Sequence, residues 1–260
     1  MPGSLNTPMS TPLQQAAAIL AASRSTVALT GAGISVESGI PPFRGKGGLW
    51  EKIDPVQYGH IDAYRRDPAA VWRVLFLQMK AVLDHAQPNP AHAGLHRLEQ
   101  MGLVQTIITQ NIDGLHQLAG SQDVVEFHGS FATLSCTSCG RILSAREVNV
   151  EVLPPQCVCG GTLRPDVVMF GEIIAEDVLQ RARMLATSCD AMLVIGTSAT
   201  VQPAAHLPMI AKNNGAAIVE INAGSTPLTD TVSDVTLLGP AGRVMQELVA
   251  AVEPLWKQPK

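Results

Sequence analysis

Short, continuously apolar runs alternate along the chain with longer stretches in which apolar residues recur at helical spacing. VALTGAG at 27–33, LVQTIIT at 103–109, AMLVIGT at 191–197 and AAIVEIN at 216–222 each end in polar or small residues. Such runs predict strands buried on both faces. Two shorter strands are expected at 124–127 and 235–238. Helical spacing predicts helices over 12–23, 69–85, 91–102, 112–118, 176–187, 204–214 and 241–253. Thr11 suits an N-cap, Pro12 a first helical position, and Gly102 a helix stop. Strands separated by helices predict an α/β fold, with a parallel sheet covered by helices on both faces. Residues 34–66, rich in Gly and Pro, read as mostly irregular.

Residues 131–166 break this rhythm. They hold four of the five cysteines and few apolar runs, so they read as an insertion. Cys136 and Cys139 form one close pair and Cys157 and Cys159 another, 17 residues apart. Two close pairs in a turn-rich segment point to structural zinc, and four thiolates would leave no open coordination position. Cys189, beside an apolar strand, reads as a small core residue. A zinc ribbon that binds nucleic acid is the rival. Arg141, Arg146 and Arg164 make no dense basic stripe, and the net charge is −4, so nucleic acid is not indicated. Apolar residues are 46% of the chain and charged ones 15%, enough for a well-buried core. No run reaches the ~18–20 apolar residues that span a bilayer, and the start lacks the marks of a signal peptide. A cytoplasmic monomer with a flexible start over 1–11 is expected, since no long heptad suggests a coiled coil.

Three stretches carry candidate chemistry. Thr30-Gly31-Ala32-Gly33-Ile34-Ser35 closes the first strand, where glycines let backbone approach a pyrophosphate. The dinucleotide fingerprint is incomplete, because Val36 stands at its third glycine. The loop ESGIPPFRGKGGLW at 37–50 follows in place of an amphipathic helix and reads as a lid. Arg44 would suit a phosphate and Phe43 would shield a reacting centre from water. TQNIDGLH then releases Gln110, Asn111 and Asp113 together at a strand end, with His128 closing the next apolar segment. Such a cluster is costly to bury unless it has partners.

GAGIS, SGIPPFR, TQNID, FHG, the paired cysteines, FGE at 170–172, GTS at 196–198 and IN at 221–222 occur in the order seen in the sirtuins, and the chain resembles that family over roughly residues 12–253. The resemblance implies a Rossmann-like NAD-binding domain over 12–130 and 167–260, with the loop 37–66 in a small lobe, and a zinc-binding insertion over 131–166. It implies NAD-dependent deacylation of lysine in protein substrates, with NAD and zinc as cofactors. Asn111 and Asp113 would hold the nicotinamide riboside, Gln110 would lie near the ribose, and His128 would be the general base. Gly31, Ala32 and Gly33 would face the pyrophosphate, with Ser35, Phe43 and Arg44 in the same cofactor site. Gly196, Thr197 and Ser198 would form the ligand rim, Asn222 would reach the adenosine ribose, and Ala241 would lie near the adenine. Val168, Phe170, Gly171, Glu172 and Val201 would grip the peptide by strand addition.

FRGKGGLW also resembles the loop of sirtuins that remove succinyl and malonyl groups, which pair the acyl carboxylate with a tyrosine and an arginine. Leu75 and Gln78 stand at those places, and neither replaces an arginine fork. Acetyl is therefore expected over succinyl, with desuccinylation and mono-ADP-ribosylation as alternatives. A hydride-transferring dehydrogenase would leave the cysteines and TQNID unexplained, and a non-enzymatic zinc-ribbon module would leave the α/β alternation unexplained.

Overall fold

Thr11 fixes where the first helix begins. In this computed structural model, which describes residues 10–44 and 47–256, the Gln14 N–H donates to the Thr11 hydroxyl at 3.2 Å. The Thr11 N–H donates to the Gln14 side chain at 2.9 Å, closing a capping box on Pro12–Ala22. The flexible start expected over 1–11 lies, through residue 9, outside the described residues.

The strands follow in chain order as β1 (Thr26–Thr30), β2 (Val104–Thr109), β3 (Val124–Glu126), β4 (Gly129–Cys136), β5 (Ile142–Ser144), β6 (Leu163–Val167), β7 (Ala191–Ile195), β8 (Ala217–Asn222) and β9 (Val235–Leu238). Six of them form one parallel sheet in the order β3-β2-β1-β7-β8-β9. The chain works outward from β1 through β2 to β3, then returns to the middle at β7 and works outward again. Strand order reverses between β1 and β7, so a crevice opens at their carboxyl ends, where α/β sheets bind ligands.

Successive residues of one strand point to opposite faces. Ala28 packs with Leu20, Leu95 and Leu248 of the helices Pro12–Ala22, Pro90–Gln100 and Ala241–Val252. Val27 and Leu29 face the other way, toward Ala182 of Glu176–Ser188 and Leu207 of Leu207–Asn213. Both faces are dry, which is why the strands read as unbroken apolar runs.

The smaller sheet is antiparallel, in the order β5-β4-β6. It begins at Gly129 and ends at Val167, just outside the insertion expected from sequence. A third apolar cluster joins it to a distant stretch: Ile61, Tyr64, Trp72 and Phe76 pack with Phe131, Leu134 and Leu163. Trp72 is fully buried, and its indole N–H donates to the Leu163 carbonyl at 3.0 Å. A large ring with its one polar atom satisfied is a strong anchor.

Three expectations need correction. Residues 34–66 are not mostly irregular: a 3-10 helix Ala32–Ser38 and the short helices Leu49–Lys52, Pro55–Tyr58 and Ile61–Arg66 run through them. Asp54 caps one of these, its carboxylate accepting from Val56 N–H at 2.8 Å, and Pro55 fills its first position. The helix expected over 69–85 contains a π-helical stretch, Trp72–Phe76. The helix expected over 112–118 forms only at Leu115–Leu118, because Asp113 accepts the Leu115 N–H at 3.0 Å and Gly114 is left-handed at φ 69°. No helix of the described residues is long and apolar enough to cross a membrane.

Candidate active site and metal centre

The glycine turn exists to bring two strand ends into backbone contact. Gly33 N–H donates to the Gly196 carbonyl at 2.7 Å, and Gly31 N–H to Ile195 at 3.0 Å. A Cβ on Gly33 would lie 2.7 Å from the Gly196 backbone, and one on Gly196 would lie 2.3 Å from the Ile34 nitrogen. Gly196 is also left-handed, at φ 61°. No side chain fits at either position.

Beside this contact opens a cavity of about 630 Å³. Gly31, Ala32 and Gly33 line one side, Gly196, Thr197, Ser198 and Asn222 another. Phe43 and Arg44 of the Gly/Pro loop, Gln110, Asn111 and His128 also line it. So do Val168, Phe170 and Val201. Residues remote in sequence and drawn from both sheets thus share one wall. An adjoining cavity of about 190 Å³ is lined by Ser35 and Asp113 and shares Asn111 and Phe43 with the first.

Three expected site residues line neither cavity. Gly171, at φ 82°, packs on the His60 ring. Glu172 is held by Arg164 and accepts the Met169 N–H at 2.9 Å, so it braces the segment rather than facing the void. Ala241 is buried where its helix begins, and the neighbouring Gly242 N–H donates to Glu37 at 2.5 Å.

The hydrogens of the polar cluster at the end of β2 can be placed. Asn89 N–H donates to His92 Nδ1 at 3.3 Å, so the proton of neutral His92 sits on Nε2, facing Ser35 Oγ at 3.4 Å. Asn111 Nδ2 also donates to Ser35 Oγ, at 3.1 Å. The Ser35 hydrogen is therefore free for Asp113 Oδ2, at 2.7 Å. Asn111 further donates to the Gly31 carbonyl at 3.2 Å, and Gln110 to Thr197 Oγ1 at 2.9 Å. Burial drives the His92 pKa down to about 4 against the pull of Asp113, which keeps this tautomer neutral. His116, edge-to-face with His92 at 5.0 Å between ring centres, is driven to about 3 by burial and by its neighbour ring. Sequence reasoning missed His92 and His116. The one signal was the capping box Asn89–His92, in which His92 sits three residues after the cap.

His128 Nδ1 lies 3.0 Å from the Gln110 carbonyl oxygen. A carbonyl only accepts, so Nδ1 carries the hydrogen and Nε2 is the free-base atom. Burial lowers the His128 pKa, partly offset by the Gln110 bond, so the ring stands ready to accept a proton at neutral pH.

The four cysteines close a compact donor set. The Sγ atoms of Cys136, Cys139, Cys157 and Cys159 all lie within 4.8 Å of one another. The Cys136–Cys159 and Cys139–Cys157 separations are 3.5 and 3.8 Å. Tetrahedral zinc with ~2.3 Å bonds spaces its sulfurs by about 3.8 Å, so the tetrad fits zinc. Gly161 leaves room for it, since a Cβ there would meet Cys136 Sγ at 2.6 Å. Cys189 is buried away from this set, and burial pushes its thiol up to about 11.

A doubly covered parallel sheet, a glycine contact at its switch point and a thiolate tetrad in an antiparallel module together define an α/β enzyme of the nucleotide-binding kind with a zinc-binding small lobe. The Sir2 family matches residues 31–203, and the chain belongs to that family. It is 48% identical over 236 residues to the "NAD-dependent protein deacylase 2" of Pyrobaculum aerophilum, covering 90% of this chain and 94% of that one. It is 47% identical over 234 residues to the "NAD-dependent protein deacylase 1" of Archaeoglobus fulgidus, covering 90% and 95%. A solved Sir2 homolog–NAD complex superposes with a TM-score of 0.86 at 45% identity, over 94% of this chain and 95% of that one. A Sir2 protein with a deacetylated p53 peptide and 3′-O-acetyl ADP-ribose superposes with a TM-score of 0.86 at 34% identity, over 94% and 99%.

Proposed function

We propose that the chain is an NAD-dependent protein-lysine deacylase whose preferred acyl group is acetyl, yielding nicotinamide, free lysine and O-acetyl-ADP-ribose. The observation that carries the reading is the tied imidazole: His128 Nδ1–H is committed to Gln110 and Nε2 lies free in a wall shared with the glycine turn. Bound there, NAD supplies a ribose whose C1′ can be attacked by the acyl oxygen as the nicotinamide bond breaks. The protein's part is alignment and exclusion of water. Backbone of Gly31 and Gly33 approaches the pyrophosphate, with Arg44 at the cavity's edge. Asn111 and Asp113, fixed through Ser35 and His92, hold the nicotinamide riboside.

His128 Nε2 would then take the proton of a ribose hydroxyl, so that its oxygen can attack the former acyl carbon; the lysine amine leaves that carbon with a proton, and one water completes O-acetyl-ADP-ribose. Val168, Phe170 and Val201 receive the peptide, and Phe43, Trp50 and Phe170 form a ring-to-ring wall with centroids 5.7 and 5.9 Å apart. Zinc holds the small module together and takes no part in the chemistry, because four thiolates fill its coordination.

The acyl end is apolar. Leu75 lines the main cavity with Phe76 and Met79, whereas Gln78 turns to the smaller one. Among the described residues lining the main cavity, Arg44 is the single cation. Tyr64 is buried with its hydroxyl on the Leu163 carbonyl, at 3.4 Å, so it cannot serve an acyl carboxylate. Acetyl- and succinyl-lysine peptides offered with NAD and scored by mass spectrometry test the choice. Acetyl peptide should be consumed faster, and faster loss of the succinyl peptide would overturn the acyl assignment.

A further inference from the structure

Glu220 sits inside β8 with 1% of its surface exposed, yet no cation touches it among the described residues. Four hydroxyls surround its carboxylate instead: Thr226 at 2.5 Å, Thr229 and Ser233 at 2.9 Å, and Thr236 at 3.4 Å. Two of these have settled polarity. Thr226 Oγ1 accepts the Leu228 N–H and Thr229 Oγ1 accepts the Thr226 N–H, so each is left to donate to Glu220. Residues 222–226, between this cluster and the strand end, line the main cavity. Their near end is pinned by Asn222 Nδ2 on the Thr197 carbonyl at 2.8 Å. Their far end is pinned by Thr226 on Glu220.

We propose that Glu220 is a positioning residue that sets the wall 222–226 against the nucleoside lying on the far side of the pyrophosphate from His128. Acidic residues of dinucleotide folds commonly touch ribose directly at a strand end. Glu220 cannot, because it is buried and both of its oxygens are taken by hydroxyls. It acts through Thr226. The proposal rests on the reading that a dinucleotide occupies this cavity.

The experiment is calorimetric titration of ADP-ribose into the wild type and into Glu220→Ala, Thr226→Val, the double variant and Ser233→Ala, with thermal melts of each. Ser233 bonds the same carboxylate but lies outside the cavity lining, so its variant reports plain loss of stability. Glu220→Ala and Thr226→Val should each weaken ADP-ribose about tenfold, and the double variant no further, since both cut one link. Ser233→Ala should lower the melting temperature yet bind within about twofold of wild type. At saturating NAD, kcat of Ser233→Ala should match wild type within about twofold, whereas Glu220→Ala and Thr226→Val should show their loss as a raised KM for NAD. Wild-type affinity in Glu220→Ala, a multiplied loss in the double variant, or an equal loss in Ser233→Ala would each overturn the role of Glu220. If Glu220→Ala does not fold, Thr226→Val against Ser233→Ala decides alone. A wild type that binds no ADP-ribose would overturn the dinucleotide reading itself, and this one with it.

Discussion

The two sheets are built on opposite plans. The parallel sheet is sandwiched between two apolar layers contributed by five helices, and its strands pair in parallel on either side of β1, with one irregularity at Thr26/Val27. The antiparallel module has three strands and borrows its core from residues 53–76, far back in the chain. Its remaining hold is the cysteine tetrad. A sheet of three short strands cannot bury enough apolar surface alone. The large lobe therefore rests on packing, whereas the small one rests on the borrowed segment 53–76 and on the metal its four thiolates fit. Because the cavity wall is drawn from both, the metal reaches the chemistry only by holding one wall in place.

That contrast can be broken most forcefully at the thiolates. Structural zinc in small modules contributes about 10–16 kcal/mol of apparent binding energy. Cys139→Ser should lose zinc and deacylation together while the far-ultraviolet signature of the large lobe persists. Full zinc content and normal activity by metal analysis and assay would contradict the division. The next largest effect belongs to His128. His128→Ala should cut turnover by about 10²-fold or more while NAD still binds by titration, and unchanged turnover would remove it from the mechanism.

Gly33→Ala is sharper on the large lobe. Its new Cβ would meet Gly196 backbone at 2.7 Å, and backbone cannot swing aside as a side chain does. About 1–3 kcal/mol of stability should be lost, as overpacking typically costs, with a raised KM for NAD. A variant equal to wild type in denaturant and in KM would mean the strand ends are not locked.

Acid gives the smallest and most graded test. His92 at about 4 and His116 at about 3 lie below the ordinary histidine value, so between that value and the folded pKa the unfolded chain binds protons that the native chain refuses. Stability should fall as pH drops from about 6.5 toward 4, by up to about 1.4 kcal/mol per pH unit for each histidine. Above pH 7 neither should contribute a slope. His92→Asn should flatten the acid side, and an identical slope in that variant would show the assignment wrong. Activity should follow a separate limb. With His128 as the proposed base and its pKa lowered, activity should be lost only below the usual histidine range.

The same contrast explains which elements are legible in the amino-acid sequence. The central strands β1 and β7 are buried along their whole length, so each reads as a short apolar run, and period and length alone identify it. Thr11, Pro12 and Gly102 mark helix ends through local chemistry that needs no partner. The cysteine spacing declares zinc because close pairs are the metal's own requirement. The short helices at 49–66 are hidden. Each is one turn or little more and too short to display a period; Asp54 and His60 cap two of them, and Leu49–Lys52 has no side-chain cap. His92, His116 and Glu220 are hidden for another reason. Apart from Asn89, which shares a capping box with His92, their partners stand at residues 35, 30 and 226–236, and a contact between segments leaves no trace in the spacing of either. Gly171, Glu172 and Ala241 belong to the motif pattern but support the cavity from behind, a distinction that only side-chain direction reveals.

The central claim is that one cavity spanning both lobes couples rupture of the nicotinamide bond to removal of an acyl group from lysine. Simultaneous quantification of nicotinamide and freed lysine, with and without acetylated peptide, tests it most directly. The account predicts one nicotinamide for each lysine unmasked and almost none when the peptide is withheld. Nicotinamide released at the same rate without peptide, or lysine freed without NAD, would contradict it.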